Sequence, residues 1–450
     1  MARRVPLPRL THRQRTSRRQ RERRQQAIVV TAFTAVLVFV LGLAAWAASD
    51  RYYNENLSPA ATVDGLAIPQ REFARRSEFE YVRLYVDYGV PPGFENDQQV
   101  AAIKVGYQET ALERVVEQRI LDVEADAAGI APTAAEVEDI YQGQYGEANV
   151  RHILVAVAPD AADKEAAEAT AKAKARAIAD QLRSAPDDQA LWNRIAEDSS
   201  DDPGSKFSGG DLGFAGKGKY VPEFEDAIRA LSVGQISDPV RTQFGFHVLQ
   251  LRGKKDAAET DLVRRYLSYG FTAADLKEEA RYEAIRKEMG SRAKDTALVS
   301  PTQQVHLARI VINIPPPAGG DFQRFTEALK KQSDARTALD QGKDFAELAK
   351  EVSEDTETKD KGGDMGWVAK GMITDLRAEE LVFSAEMGQV TEPVSTTSTW
   401  TVYKVLEKEP SRELTDEQRQ TISTNAYQYW LEQQKKAHDV QKLIAGLGLE

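Results

Sequence analysis

Two motifs recur in this chain at nearly the same distance. Gly209-Gly210-Asp211-Leu212-Gly213-Phe214 returns as Gly362-Gly363-Asp364-Met365-Gly366-Trp367, at an offset of 153. Gly234-Gln235-Ile236-Ser237-Asp238-Pro239-Val240 returns as Gly388-Gln389-Val390-Thr391-Glu392-Pro393-Val394, at an offset of 154. Solenoid repeats are roughly 20–50 residues long, so a period this long means a duplicated domain, with one residue gained between the motifs in the second copy. A chain of 450 residues has room for both copies and for one or two further domains.

Charge is unevenly spread. The net charge is -11, yet ten Arg and one Glu lie within the first 24 residues, leaving 49 basic against 69 acidic side chains in the remainder. An Arg-rich tail by itself suggests nucleic-acid binding. Here Ala27–Ala48 follows at once, 22 positions without a charged residue. At 1.5 Å per residue that run spans a hydrocarbon core of about 30 Å. The basic cluster should then stay cytoplasmic, with residues 49–450 outside the membrane. Ala45-Trp46-Ala47 also has the small-x-small form of a signal-peptide cleavage site, but a signal h-region is only about 7–15 residues long. No cysteine occurs in the chain, which excludes disulfides, thiol catalysis and cysteine-ligated zinc.

Helical spacing dominates the flanks of the repeat. Periodic segments are expected near 71–88 and 98–128, the second carrying Leu112, Val115, Val116, Ile120 and Val123. Val63-Asp64-Gly65 before Ile68 suggests a short strand or turn. Thr133 with Glu136 three residues later reads as a capping box. Residues 256–300 show a modest apolar stripe through Leu276, Ala280, Ile285 and Met289, and the end of the chain offers Ile422, Tyr429, Trp430 and Leu431 as helical anchors.

The first repeat unit reads as strand 150–157, helices 163–184 and 189–197, an acidic Gly-rich loop 200–218, helix 222–231 and strands 236–241 and 246–252. It brings apolar candidates, Leu212, Phe214, Tyr220 and Phe224, near polar ones, His152, Asp202, Thr242 and His247. Each has a plainer reading. A histidine within a strand is often a hydrogen-bonded core residue. Asp202 lies in an acidic stretch suited to a loop or helix cap, and two His with one Asp have the composition of a metal triad. The glycines lack phosphate-loop spacing.

Val150-Arg151-His152-Ile153-Leu154-Val155, the Gly209–Phe214 motif and Thr242-Gln243-Phe244-Gly245-Phe246-His247 strongly resemble the parvulin family of peptidyl-prolyl isomerases. That resemblance implies two parvulin-like domains, each a small antiparallel sheet wrapped by helices; with the helical flanks and the Ala27–Ala48 run, the expected fold is α+β, with a helical chaperone-like module and an N-terminal transmembrane helix beside them. The resemblance implies His152 and His247 as paired catalytic histidines, with Asp202 beside them. Leu212 and Phe224 would form the proline-pocket wall, Tyr220 stands where the family often has Met, and Thr242 and Phe246 would be supporting positions. No metal or cofactor is implied. Phosphate-directed members carry a basic cluster after the first strand; here 156–163 is acidic, so no phospho-specific substrate is expected.

In the second unit His152 corresponds to Arg309, His247 to Thr401, Phe224 to Ala378, Leu212 to Met365 and Asp202 to Asp355. His306 stands three positions before the expected histidine, an odd strand offset that reverses its face. The second unit is expected to fold without isomerase activity. The whole chain resembles the SurA, PrsA and PpiD group of extracytoplasmic foldases. The expected plan is a basic cytoplasmic tail (1–26), a transmembrane helix (27–48), a helical chaperone-like N-terminal domain (49–145), an active parvulin domain (146–255), a helical linker (256–300), a degenerate parvulin-like domain (301–408) and a C-terminal helix packed on the N-terminal module (409–450). Trp430 and Leu431 should then lie near the 98–128 helix. Expected partners are unfolded or nascent exported polypeptides with X–Pro bonds and the membrane through 27–48, with no nucleic acid. The competing functions are a non-catalytic holdase and an envelope assembly scaffold.

Overall fold

A computed structural model of the chain describes residues 12–87, 98–158, 161–315, 322–396 and 398–444; the expected tail before residue 12 lies outside them. Helix α1 (His12–Tyr52) is 41 residues long without a break, about 60 Å at 1.5 Å per residue. Its large apolar side chains Ile28, Val30, Phe33, Leu37, Phe39, Leu41 and Trp46 are exposed. One π-helical turn, Tyr53–Leu57, joins it to the rest of the chain.

A hairpin of β1 (Pro59–Val63) and β2 (Leu66–Pro69) comes next. Its turn residues Asp64 and Gly65 both have positive φ, which a short Asp and a Gly tolerate best. Helices α2 (Gln70–Asp87), α3 (Gln98–Ala128) and α4 (Ala134–Tyr145) follow. The capping box at α4 forms as expected: Thr133 accepts from the Glu136 N–H while Glu136 reaches back to the Thr133 N–H.

The first repeat unit runs through β3 (Glu147–Ala156), α5 (Lys164–Arg183), α6 (Gln189–Ser199), β4 (Asp211–Ala215), α7 (Pro222–Ala230), β5 (Val240–Thr242) and β6 (Gly245–Lys255). The antiparallel sheet has the order β4-β3-β6-β5. Side chains alternate across a strand, so Ile153, Val155, Phe246 and Val248 face α5 and α6, where they bury Ala175, Ile178, Leu182 and Trp192. Val150, Leu249 and Leu251 face α7 with Phe224 and Ile228. Strand β4 lies inside the stretch expected to be loop. Three glycines in six residues hide it, and its pairing with β3 is irregular. The strand expected over 236–241 is shorter: a single bridge joins Ile236 to Gln250, and regular pairing starts at Val240.

Helices α8 (Asp261–Ser268) and α9 (Ala273–Ala297) correct the linker reading of 256–300. Val263, Tyr266, Phe271, Leu276 and Ala280 share a core with Phe79, Val82 and Tyr141, and Ile285 and Met289 share one with Leu121 and Ala125. The apolar stripe belongs to the interior of the helical module, so 256–300 returns the chain to that module and completes it.

The second unit repeats the plan with β7 (Thr302–Asn313), α10 (Phe322–Asp340), α11 (Phe345–Val352), β8 (Asp364–Ala369), α12 (Leu376–Ser384), β9 (Val394–Ser395) and β10 (Thr399–Arg412), in the sheet order β8-β7-β10-β9. Helix α13 (Asp416–Ala437) starts on this unit. There Gln418 donates to Gln304 Oε1 at 2.9 Å and to the Trp367 carbonyl at 2.8 Å. The helix ends on the helical module, where Leu431 is buried among Leu112, Val115, Val116 and Ile120 with Trp430 packed beside it. Tyr427 Oη donates to Glu117 Oε1 at 2.6 Å, and Arg286 Nε reaches the same oxygen at 3.0 Å. Strand β11 (Val440–Lys442), which the sequence reading did not resolve from the terminal helix, pairs antiparallel with β1.

Candidate active site

Adjacent strands β3 and β6 carry the two histidines on the face turned toward α7. Their rings stack with centroids 5.4 Å apart and planes 14° from parallel. Phe224, on the first turn of α7, meets both rings edge-on, at 5.7 Å from His152 and 5.2 Å from His247. Tyr220 packs on Phe224 at 4.8 Å, and half-buried Leu212 joins the same cluster. Gly210 makes this closeness possible. It has φ 73°, and a Cβ there would sit 1.9 Å from the His152 carbonyl oxygen, so only glycine lets the loop lie against β3.

Charge state fixes the direction of the hydrogen bonds. Burial pushes the Asp202 carboxyl up, but hydrogen bonds from Ser205, His152 and the Gly204 N–H outweigh it and hold it down at about 2. An ionised carboxylate can only accept. His152 Nε2 therefore donates to Asp202 Oδ2 at 2.9 Å. Burial lowers the His152 pKa against the opposing pull of Asp202, so its ring is neutral and its Nδ1 accepts from His247 Nδ1, 3.1 Å away. Burial, then the neighbouring His152, lower His247 to about 4 despite Asp202. Its Nε2 is left to accept the Thr242 hydroxyl at 2.8 Å. Thr242 Oγ1 in turn accepts the Phe244 N–H at 3.2 Å. One polarised chain thus runs Phe244 N–H, Thr242, His247, His152, Asp202, with both imidazoles neutral at pH 7.

His152, His247, Asp202, Thr242, Leu212, Tyr220 and Phe224 come together here. Two expected residues do not. Phe246 is buried with Ile153 and Val155 against α5 and α6, because it neighbours His247 in the strand and so points through the opposite face. Phe214 is 53% exposed, near Gly253 at the β4 edge of the sheet, and lies outside the Phe224 cluster. The sequence reading missed Ser205, which is buried. Its hydroxyl donates to Asp202 Oδ2 and lies 3.1 Å from His152 Nε2, and its N–H also reaches Asp202 Oδ2, at 3.1 Å. The available signal was Asp202-Pro203-Gly204-Ser205, a turn in which the aspartate binds backbone N–H groups two and three residues on.

The second unit keeps the frame and loses the site. Arg309 Nε pairs with Asp355 Oδ2 at 2.6 Å, and Thr358 donates to the same oxygen, as Ser205 does to Asp202. Thr401 occupies the His247 register: Thr401 pairs with Val311 as His247 pairs with Leu154. Ala378 replaces Phe224, and Tyr403, standing where the first unit has Leu249, is buried in the same cluster as Ala378. A large ring has moved from the helix to the strand, filling the volume from the other side. His306 is engaged elsewhere, 2.8 Å from Asp364 Oδ1 and stacked on Trp367.

Residues 152–253 and 310–407 each match the PPIC-type PPIase domain, and residues 18–149 match the SurA-like N-terminal domain. The chain carries two PPIC-type, or parvulin, peptidyl-prolyl isomerase domains. Across the wider chain it is similar to SurA chaperones and PrsA foldases. It is 26% identical over 365 residues to the chaperone SurA of Nitrosococcus oceani, covering 80% of this chain and 68% of that one. It is 28% identical over 193 residues to the foldase protein PrsA of a Geobacillus species, covering 42% of this chain and 63% of that one. A solved peptidylprolyl isomerase (PrsA) from Bacillus anthracis is 24% identical, with a TM-score of 0.22, over 49% of this chain and 96% of that one.

Proposed function

We propose that this chain is a membrane-anchored, extracytoplasmic prolyl isomerase and chaperone that acts on exported or membrane polypeptides at X–Pro bonds, with its chemistry in residues 146–255. One observation carries the reading: the His152–His247–Asp202–Thr242 chain lies under the Phe224 and Leu212 wall in the first unit, and its counterpart is dismantled in the second.

The chemistry asks for little more. Rotation about an X–Pro bond faces a barrier of roughly 18–20 kcal/mol from amide resonance, and no bond breaks. The planar amide is the more charge-separated form, so an apolar slot that strips water from it favours the twisted transition state. Phe224, Leu212 and Tyr220 provide such a slot for the ring. The histidine protons are committed within the chain of hydrogen bonds, which suits a rigid polar floor that orients the amide. Anchoring rests on Ala27–Ala48 within α1, on the exposed Trp46, Tyr52 and Tyr53 toward its outer end, and on the basic tail before it. The intact fold of the second unit, with its slot filled by Tyr403, supports a binding or spacing role there.

Cis-to-trans isomerisation of a proline tetrapeptide by soluble 49–450, beside His247→Ala and Phe224→Ala, tests the proposal. The expected result is catalysis by the parent and a rate indistinguishable from the uncatalysed one in both variants. A parent at the uncatalysed rate would shift the reading to a holdase. Carbonate extraction of the full chain tests the anchor: it should remain with the membrane pellet.

A further inference from the structure

Between α4 and the first parvulin unit lies a cleft of about 220 Å³ that the isomerase reading leaves unused. Its floor is small: Gly143 and Gly146 from the helical side, and Ala148, Ala215 and Gly216 from the sheet. Gly143 sits inside α4, where glycine costs about 0.5–1 kcal/mol relative to alanine. Local packing does not demand it, since a Cβ there would meet only Arg229 Cδ, at 3.9 Å. What its absent side chain preserves is open space. The rim carries both signs of charge, and Lys217, Lys254 and Asp139 have no ion-pair partner among the described residues.

The cleft adjoins the candidate active site through two shared residues. Tyr220 lines it and also packs on Phe224; Ile228 lines it and belongs to the Phe224 cluster. The loop bearing Tyr220 is pinned by Glu225, which accepts the Gly218 and Tyr220 N–H groups at 2.6 and 3.2 Å. One aromatic residue is therefore the shared wall of both spaces.

We propose that this cleft is a second client subsite: the extended stretch of unfolded polypeptide next to the bound proline passes Tyr220 and lies between α4 and the sheet. A floor of Gly and Ala accepts a backbone of any sequence, and a rim with unpaired charges of both signs accepts side chains of either sign. Such a site takes unfolded chain without strong sequence preference and joins the isomerase unit to the helical module. The inference rests on the isomerase reading for the position of the proline.

Gly143→Leu in the full chain tests it, with Gly143→Ala as a control that leaves the cleft open. Leucine is a good helix former and fills the cleft from the helical side. The expected result is unchanged turnover of a proline tetrapeptide, too short to reach the cleft. For a reduced and alkylated unfolded protein, KM should rise about tenfold, the scale of one lost contact of roughly 1.4 kcal/mol. Equal KM for both substrates in parent and variant would overturn the subsite. Should Gly143→Leu lower tetrapeptide turnover as well, a photo-crosslinking residue at Lys254 decides: labelling of the unfolded protein supports the cleft, and no labelling sinks it. A parent that turns over neither substrate but still crosslinks at 254 would refute the isomerase reading and leave the binding site standing.

Discussion

Titrating the histidines of soluble 49–450 probes the hydrogen-bond chain at its centre. That fragment holds four: His152, His247, His306 and His438. His247 should protonate near pH 4, because it is buried beside a second imidazole. An ordinary histidine titrates near 6.5. The difference corresponds to on the order of 3 kcal/mol at 1.36 kcal/mol per pH unit. Its sign follows from which state binds more protons. Between pH 6.5 and 4 the unfolded chain takes up a proton at this position and the folded one does not, so stability is complete above 6.5 and falls as pH drops through that window. His438 should behave oppositely. Both its nitrogens face carboxylates, Asp64 at 2.6 Å and Glu124 at 3.0 Å. Burial lowers its pKa, but the hydrogen bonds its ring donates to these two carboxylates outweigh that and raise it. Its contribution is complete below 6.5 and is lost as pH rises through the raised value. The assay is NMR of isotope-labelled imidazoles, with resonances assigned by His→Gln variants, read beside the pH dependence of tetrapeptide isomerisation. Activity should be flat from pH 8 down to about 5 and fall as His247 protonates near 4. A His247 resonance titrating near 6.5, with activity falling at the same pH, would refute the neutral, buried pair.

Two further outcomes are expected. Ser205→Ala removes a donor from Asp202 and leaves His152 with a less firmly held partner; Asp202 should titrate above its present value of about 2, and isomerisation should slow by about ten- to a hundredfold with little loss of fold, the scale of one charge-assisted hydrogen bond of about 1.5–3 kcal/mol. Leu431→Ala opens the core where α13 meets α3 and should destabilise the helical module by about 2–5 kcal/mol in denaturant unfolding, while leaving tetrapeptide turnover unchanged.

Much of the candidate site was legible through the motifs that carry the parvulin resemblance, and the degraded repeat marks which of those positions changed together. Strand periodicity could have excluded Phe246, since adjacent residues in a strand point through opposite faces. Phe214 was less readable: Gly213, with φ 68°, and the irregular pairing of β4 break the alternation that would have placed it. Ser205 escaped because a serine in a polar turn looks the same whether its hydroxyl meets water or a buried carboxylate.

The sequence by itself determined the duplication, the apolar run after a basic tail, most elements of the first unit and the loss of both histidines from the second. These are local patterns or comparisons within the chain, and they need no knowledge of what packs on what. Tertiary structure decided the rest. It turned 256–300 from a linker into the core of the helical module, because an apolar stripe says that a face is buried and not which partner buries it. It set Tyr403 into the space left at Ala378. It also fixed the proton order along Thr242, His247, His152 and Asp202, which depends on distances between residues up to about 95 positions apart.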